Sequence, residues 1–235
     1  MKTRFNRARR AAWALAACAT PFCHAQSSGT TVASLSETLV TATRTTQPLT
    51  DVVADVTVID RDTLQRSGAT GIADVLSRVP GLSMARNGGP GSTTSLFVRG
   101  AESRFTAVLV DGIRVDSQST GGAAWNGIPL AQIERIEIVR GPAAAVYGSD
   151  ALGGVIQIVT RRGTTGFAPS VSVGVGSHGT RQVDLGLSGR EGALDYAIGL
   201  GRDSTRGFNV LPAGNPDRDG HEQRSLSAGL GWQLN

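Results

Sequence analysis

The clearest hydrophobic pattern in the chain runs from Ile133 to Arg162. Its first part, Ile133–Val139, alternates isoleucine and valine with glutamate and arginine, which predicts a strand with one polar edge. Gly141-Pro142 ends this strand, because proline cannot donate to a ladder and glycine accepts a positive φ. After a short turn, Val155–Thr160 is rich in β-branched residues and predicts a second strand. The segment therefore predicts a compact sheet unit without room for a long helix.

Shorter patterns before this unit predict three more strands and two helical segments. The strands are predicted at Asp55–Ile59, Ser95–Arg99 and Thr106–Asp111, and a helical turn at Thr63–Ser67. From Gly71 onward, apolar residues keep helical spacing until Pro80-Gly81 ends the helix. This mixture predicts an α+β domain.

A different pattern begins at Thr164. Apolar residues alternate with glycine, serine or charged residues in four segments, Val171–Val175, Val183–Leu187, Leu194–Leu200 and Leu226–Leu234. An apolar outer face and a small or polar inner face are typical of transmembrane β-barrel strands, which run for about ten residues. A soluble, half-buried sheet has the same period, so the pattern alone leaves both interpretations open.

The positive charge of the chain is concentrated at its N-terminus. Five of the 23 basic residues and no acidic residue lie in the first 25 positions, which leaves 18 basic against 19 acidic residues. The remainder therefore gives no indication of a nucleic-acid surface. Residues 1–25 combine this basic start with an apolar run and the small-residue exit Cys23-His24-Ala25, which predicts a cleaved signal peptide. A lipoprotein cleavage box at Leu15–Cys18 is the alternative.

The sheet unit has a specific likeness to a known family. RGP and YGSDALGG between two strands resemble the end of the plug domain of TonB-dependent outer-membrane receptors. VLSRVPGLSM, SLFVRGAES and TAVLVDGIRV resemble earlier plug segments in the same order. The resemblance implies an α+β plug domain at residues 46–163, followed at residues 164–235 by the first four strands of an antiparallel transmembrane β-barrel. An ordinary α+β domain with a glycine-rich turn is the alternative.

The barrel assignment also bears on completeness and location. Plugged barrels have about 22 strands, and four are predicted here. The chain is accordingly expected to be a fragment or a truncated reading frame of a receptor in the Gram-negative cell outer membrane.

The N-terminal region after the signal, residues 26–45, is predicted to be flexible and to contain a partner-binding segment. SETLVTATR resembles a TonB box, the segment that engages the TonB energy-coupling protein. Its residues can add as a strand to the edge of another protein's sheet, where backbone hydrogen bonds supply the affinity. An ordinary first strand is the alternative. The residues assigned to the box are Glu37, Thr38, Leu39, Val40, Thr41 and Ala42.

Within the family, the likeness is to the receptors for cobalamin. It implies active uptake of cobalamin, with the plug gating the barrel lumen. A receptor for a ferric siderophore or another metal chelate is the first alternative, and a stand-alone periplasmic plug-like interaction module is the second. No arrangement of residues indicates catalysis, so an enzyme is not predicted.

The resemblance also implies site residues. Contacts to the substrate fall at Thr93, Ser95, Glu102, Thr120 and Gly121, of which only Ser95 keeps the residue type of the cobalamin receptors. Arg99 and Arg140, the arginines of the RG and RGP motifs, are implied to pair with barrel glutamates. The alternatives are simple loop polarity for the first set and solvated charges for the two arginines.

Calcium is the one structural ion that the resemblance implies, and no other cofactor is predicted. Asp217-Arg218-Asp219-Gly220 matches a D-x-D-G loop element, and alternating carboxylates suit a cation that prefers oxygen ligands. The candidate ligands are Asn209, Asp217 and Asp219, although Asn209 stands where an aspartate is expected. A plain polar turn is the alternative.

Overall fold

A computed structural model describes residues 39–40, 47–48, 55–117, 122–141, 147–164, 166–211, 214 and 217–233. The predicted signal peptide lies outside these residues. Among the described residues, no helix is long and apolar enough to cross a membrane. The regular elements before residue 163 are β1 (Leu39–Val40), β2 (Gln47–Pro48), β3 (Asp55–Asp60), α1 (Arg61–Arg66), α2 (Ile72–Leu76), β4 (Leu82–Arg86), β5 (Thr94–Val98), β6 (Thr106–Val110), β7 (Ile113–Arg114), β8 (Asp116–Ser117), β9 (Gly122–Ala123), β10 (Ile133–Arg140) and β11 (Gly154–Thr160).

The centre of the plug is a mixed five-stranded sheet in the order β3-β10-β11-β6-β7. β10 and β11, the two strands predicted for the Ile133–Arg162 segment, pair antiparallel, and β11 runs parallel to β6. One face packs Ile136, Ile138, Ile156 and Ile158 against the two helices, and all four side chains are almost fully buried. The opposite face forms a smaller cluster around Val139 and Val155. Burial on both faces explains why the sequence of β11 is almost continuously apolar.

The two helices are short, and their ends differ from the sequence prediction. α1 begins two residues before the predicted turn, because Asp60 caps it by accepting a hydrogen bond from the Thr63 amide at 2.8 Å. Hydrogen bonds from the Thr63 side chain and backbone lower the pKa of Asp60. α2 ends at Leu76, four residues before Pro80, so the proline does not itself end the helix. Leu64, Ile72 and Leu76 anchor both helices in the core.

Four antiparallel strands follow the plug and form a separate sheet, here called the wall. They are β12 (Gly166–Val175), β13 (Arg181–Glu191), β14 (Leu194–Thr205) and β15 (His221–Trp232). Each strand pairs with the next in sequence. The fold is thus an α+β plug followed by antiparallel strands in a sheet that is not closed, as predicted.

The link from β11 to the wall is short and closely packed. The Arg161 amide donates to the Gln132 carbonyl at 2.9 Å, and its guanidinium donates to Ser170 Oγ at 3.0 Å. Gly163 lies so close to the backbone carbonyl of Gly189 that any side chain would overlap it. The C-terminal end of the plug is therefore fixed against β12 and β13.

Candidate functional site

The wall has two chemically different faces. In one row, the register aligns Val171, Leu185, Leu200 and Leu226 on the outer face, and all four side chains are exposed. The inner face carries mainly glycine, serine, aspartate and glutamine, and it lies toward the plug. This alternation is the pattern of a barrel wall with lipid outside and a polar lumen inside.

The ends of the wall also differ. A tight turn at Gly192-Ala193 joins β13 to β14, whereas about fifteen residues join β14 to β15 at the other end. Aromatic side chains, Phe167, Tyr196 and Trp232, lie on the outer face near the tight turn. Transmembrane barrels have short periplasmic turns, longer extracellular loops and aromatic girdles at the membrane interfaces. The tight-turn end therefore has the features of the periplasmic end of such a barrel.

The plug contacts the inner face through the segment between Pro129 and Gln132. A methyl group on Gly199 would come within 2.6 Å of Gln132 Nε2, and one on Gly201 within 3.2 Å of Pro129 Cγ. Glycine at these two wall positions therefore allows the plug to approach the strands closely. A cavity of about 610 Å³ remains between helix α1, the Arg161 link and the inner face.

The β4–β5 hairpin carries two of the predicted substrate contacts. Thr94, Leu96 and Val98 are buried, so Thr93 and Ser95 lie on the face turned away from the core. The Asn87 amide donates to the Thr93 carbonyl at 3.0 Å and closes the loop at the tip of the hairpin. Thr93 is exposed and Ser95 half-buried, so both are accessible on that face of the hairpin.

The hairpin tip rests on the end of the wall opposite the tight turn. Gly91 has a φ of +88° and lies directly against the imidazole of His221, the first residue of β15. A methyl group on Gly89 would come within 3.3 Å of the Asp219 carbonyl oxygen. The loop before β15 therefore supports the hairpin that carries Thr93 and Ser95.

Glu102 lies beside this hairpin, and the last two predicted contacts lie outside the described residues. Glu102 is exposed and pairs with Arg104 at 2.7 Å. The adjacent Ser103 hydroxyl would lie 2.8 Å from a methyl group on Gly122, and β9 packs against β5. Thr120 and Gly121 directly precede β9 in the chain but are not described. The structure thus brings the segments of Thr93, Ser95 and Glu102 together, and the assignment to substrate stays a prediction.

Arg99 and Arg140 meet at one carboxylate of the plug. Arg140 Nη1 donates to Asp55 Oδ1 at 3.1 Å and to Thr57 Oγ1 at 2.9 Å, and Arg99 donates to Asp55 Oδ2. The Arg140 side chain is only 6% exposed, and its buried Nε has no hydrogen-bond partner within the described part of the chain. This free donor can accommodate a further acceptor. Pairing with barrel glutamates stays a prediction.

Of the predicted TonB box, only Leu39 and Val40 are described. They pair antiparallel with β2, with Leu39 opposite Pro48 and Val40 opposite Gln47. The predicted β conformation is therefore present at these two positions, in a ladder of two residue pairs. Glu37, Thr38, Thr41 and Ala42 lie outside the described residues.

The predicted calcium ligands are engaged in local hydrogen bonds. The Val210 amide donates to Asp219 Oδ2 and the Leu211 amide to Asn209 Oδ1, each at 2.8 Å. Asp217 is exposed. In the described ranges, no group of three or more histidine, cysteine, aspartate or glutamate side chains is placed to hold a metal ion. The arrangement is that of a loop stabilised by its own backbone, and calcium binding stays a prediction.

Sequence reasoning missed two of these relationships. Asp55 was assigned only to a strand, because nothing in its local pattern indicates that two arginines 44 and 85 residues away converge on it. Nothing in the sequence around His221 indicates that it contacts Gly91. The sequence PGS after two glycines indicates a turn there, but it does not identify a partner more than 100 residues away.

Comparison with known proteins agrees with this geometry. The model of the TonB-dependent Receptor Plug Domain matches residues 48–155. The chain belongs to the TonB-dependent receptor family. Proteins of this family lie in the outer membrane and act as receptors and transporters rather than as enzymes.

Individual relatives extend the likeness beyond the plug. The vitamin B12 transporter BtuB of Vibrio vulnificus (strain CMCP6) is 36% identical over 200 residues, which cover 84% of this chain and 32% of the transporter. The chain thus spans about a third of the length of this curated relative. The siderophore receptor PirA of Acinetobacter baumannii is 29% identical with a TM-score of 0.62, over 77% of this chain and 29% of PirA. Pseudomonas aeruginosa FpvA, bound to a heterologous pyoverdine, has a TM-score of 0.70 over 84% of this chain and 25% of FpvA; at 21% identity it supports the fold alone.

Proposed function

We propose that the full-length receptor containing this chain imports cobalamin across the outer membrane. The observation that carries this proposal is the 36% identity to a vitamin B12 transporter over 200 residues. An alignment of that length cannot fit within residues 1–163, so it includes part of the wall as well as the plug. The likeness therefore concerns both elements that enclose a cargo site.

The plug supplies the cargo-binding surface in this proposal. Thr93, Ser95 and Glu102 offer hydroxyl, carboxylate and backbone groups, with Thr120 and Gly121 completing the set. The cobalamin-type cargo enters from the side of the long β14–β15 loop. Support comes from the hairpin tip, because its contact with His221 holds Thr93 and Ser95 at that end of the lumen. The loop around Asn209, Asp217 and Asp219, held by hydrogen bonds to its own backbone amides, completes the outer boundary.

Energy for transport comes from the other side of the membrane. The segment Glu37–Ala42 binds TonB by strand addition, and this interaction requires release of Leu39 and Val40 from β2. Asp55 holds Arg99 and Arg140 in position, and the two arginines fix the plug by pairing with acceptors from the rest of the barrel. The buried, unpartnered Nε of Arg140 supports that second contact. Residues 1–25 direct export and are removed.

A ferric-siderophore receptor is the second candidate. It is favoured by the 29% identity to PirA and by the superposition of this chain on it. Both candidates share the plug, the wall and the coupling segment, so they differ only in cargo. A stand-alone periplasmic plug is disfavoured, because the wall exposes a continuous row of apolar side chains that water would not solvate favourably.

A complementation experiment separates the candidates. The full-length gene is expressed in Gram-negative cells that lack their own cobalamin receptor, and growth is measured at limiting external cobalamin. Restored growth, together with binding of cyanocobalamin to the purified receptor, supports cobalamin import. Rescue of ferric-siderophore uptake in an iron-receptor mutant, without cobalamin binding, transfers the function to the second candidate.

A further inference from the structure

A cluster of arginines lies on the outer face of the wall, at the end opposite the aromatic side chains. Arg181, Arg202 and Arg224 have the same alternation as Val183, Leu200 and Leu226, so they project outward. The row of Arg202 and Arg224 is directly beyond the row of Leu200 and Leu226. The arginines therefore mark the upper border of the apolar band.

The register leaves this cluster with more positive than negative charge. Arg202 and Arg224 are direct cross-strand partners, a placement that is unfavourable for like charges. Both donate to the same oxygen, Glu222 Oε1, at 2.9 and 3.0 Å. Arg181 has no ion pair within the described part of the chain. Two of the three cations thus share one carboxylate, and the side chains of Arg202 and Arg224 are 60% and 74% exposed.

We propose that Arg181, Arg202 and Arg224 bind the phosphate groups of lipid headgroups in the outer leaflet. This inference rests on the proposed function, since it requires the wall to be part of a membrane-spanning barrel. The short turn at the aromatic end and the long loop at the arginine end place this cluster at the extracellular interface. Headgroup phosphates lie at that depth beside the apolar band. The guanidinium group matches phosphate geometry with two parallel hydrogen bonds, and a phosphate between Arg202 and Arg224 relieves their repulsion.

The cluster is distinct from the cargo site. Thr93 and Ser95 lie inside the lumen, whereas the three arginines alternate with inward-facing Gln182, Asp203 and Gln223. A phosphate bound outside therefore stabilises the wall and its orientation in the bilayer without contacting cargo. Such binding is also expected to weaken as ionic strength rises, because the arginines are solvent-exposed.

The test uses the full-length receptor that contains this chain, reconstituted in phosphatidylethanolamine vesicles with and without diphosphoryl lipid A. Retained lipid A per receptor is counted by native mass spectrometry. The double substitution Arg202→Gln/Arg224→Gln is expected to reduce retention about tenfold, since charge-assisted bonds to phosphate are lost. Arg202→Lys/Arg224→Lys keeps the charge but not the paired geometry, so an intermediate loss is expected.

Controls keep this inference separate from the proposed function. Arg66→Gln removes an equally exposed arginine from the plug, where it pairs with Asp62, and should leave lipid A retention unchanged. Insertion is measured independently by flotation with phosphatidylethanolamine vesicles alone. Failure of the wild-type protein to insert overturns the proposed function. Normal insertion with equal lipid A retention by wild type and the Gln double variant overturns only the phosphate site.

Discussion

Asp55 and Arg140 are opposite residues in the β3–β10 ladder and also form an ion pair through their side chains. The distance from Arg140 Nη1 to Asp55 Oδ1 is 3.1 Å. Because the Arg140 side chain is almost completely buried, this ion pair differs from the exposed pairs on the plug surface. Buried charges depend on their partners, whereas exposed pairs contribute little. The first prediction uses this difference.

Replacing Asp55 by asparagine should loosen β3. The substitution leaves Arg99 and Arg140 without their shared carboxylate, and the expected cost is about 1–3 kcal/mol of local stability. Hydrogen–deuterium exchange of the full-length receptor should show faster exchange in β3 and β10. Asp62→Asn is the matched control, because Asp62 and Arg66 are each 75% exposed and 3.8 Å apart. Equal exchange in the two variants would show that the Asp55 contact is not structural.

The Gly91–His221 contact predicts a loss of cargo binding. Gly91→Ala introduces a methyl group into the His221 ring and strains a positive φ, so the hairpin tip must move. Cargo affinity of the full-length receptor should fall by about tenfold, as expected for a displaced binding loop. Gly100→Ala controls for strain alone, since Gly100 has a φ of +78° and no neighbour within 4 Å. The double variant Gly91→Ala/His221→Ala removes the His221 ring that the new methyl group would overlap, so it should restore part of the affinity. If the double variant restores none, the Gly91–His221 contact does not position the hairpin.

The coupling segment predicts a separation of binding from transport. Leu39→Pro or Val40→Pro removes a backbone donor and fixes φ at about −65°, which opposes strand addition to TonB. Leu39→Ala and Val40→Ala keep the donor and should be much milder. The expected phenotype of the proline variants is normal cargo binding with no energised uptake. Equal uptake by the proline and alanine variants would assign the coupling strand to another segment.

The outer face of the wall predicts sensitivity to charge. Ile198→Arg places a cation midway between the arginine row and the aromatic side chains, where the cost is about 2–4 kcal/mol near the midplane of a bilayer. The amount of full-length receptor assembled in the outer membrane should fall strongly. Leu211→Arg makes the same change at an exposed position in the long loop and should assemble normally. If both variants assemble equally, the row of Ile198 does not face lipid.

The cap of α1 predicts a pH effect. The pKa of Asp60 is lowered in the folded protein by hydrogen bonds from Thr63. Its contribution is therefore fully present above the unfolded pKa of an aspartate and is lost as the pH falls through the lower folded pKa. Asp60→Ala should cost about 1 kcal/mol at neutral pH. Asp60→Asn keeps the cap without a titrating group, so the Tm difference between Asp60→Asn and wild type should change on acidification. A pH-independent difference would rule out this contribution.

The sequence was most informative where one residue pattern determines one element. Alternation and the Gly-Pro break predicted β10 and β11 as two strands of one sheet unit, and the structure adds that they pair antiparallel, as adjacent strands with a short connection often do. Alternation also predicted the four wall strands, although β14 continues to Thr205, beyond the last apolar residue at Leu200. There the strand is extended by pairing with β15, and the local sequence of β14 gives no sign of this pairing.

The candidate site was less predictable, because its contacts join distant segments. The hairpin position of Thr93 and Ser95 follows from local patterning, but the support from His221 does not. Arg99 has a φ of +52°, a conformation that its sequence does not favour and that the hydrogen bond from its amide to the Gly81 carbonyl at 2.7 Å helps to hold. Tertiary contacts of this kind set the geometry of both arginines.

The close packing of Gly163 gives the plug one fixed end and one loose end. At its C-terminal side, β11 is bonded to strands on both edges and passes directly into the packed link, so it cannot move away from the wall. At its N-terminal side, β3 lies at the edge of the sheet and is held by a single ladder of six residue pairs. Tension applied to the N-terminal segment would therefore reach this edge strand before the central strands. A plug that loses β3 first keeps its hydrophobic core intact. The displaced strand can then pair again with β10 when the tension ends.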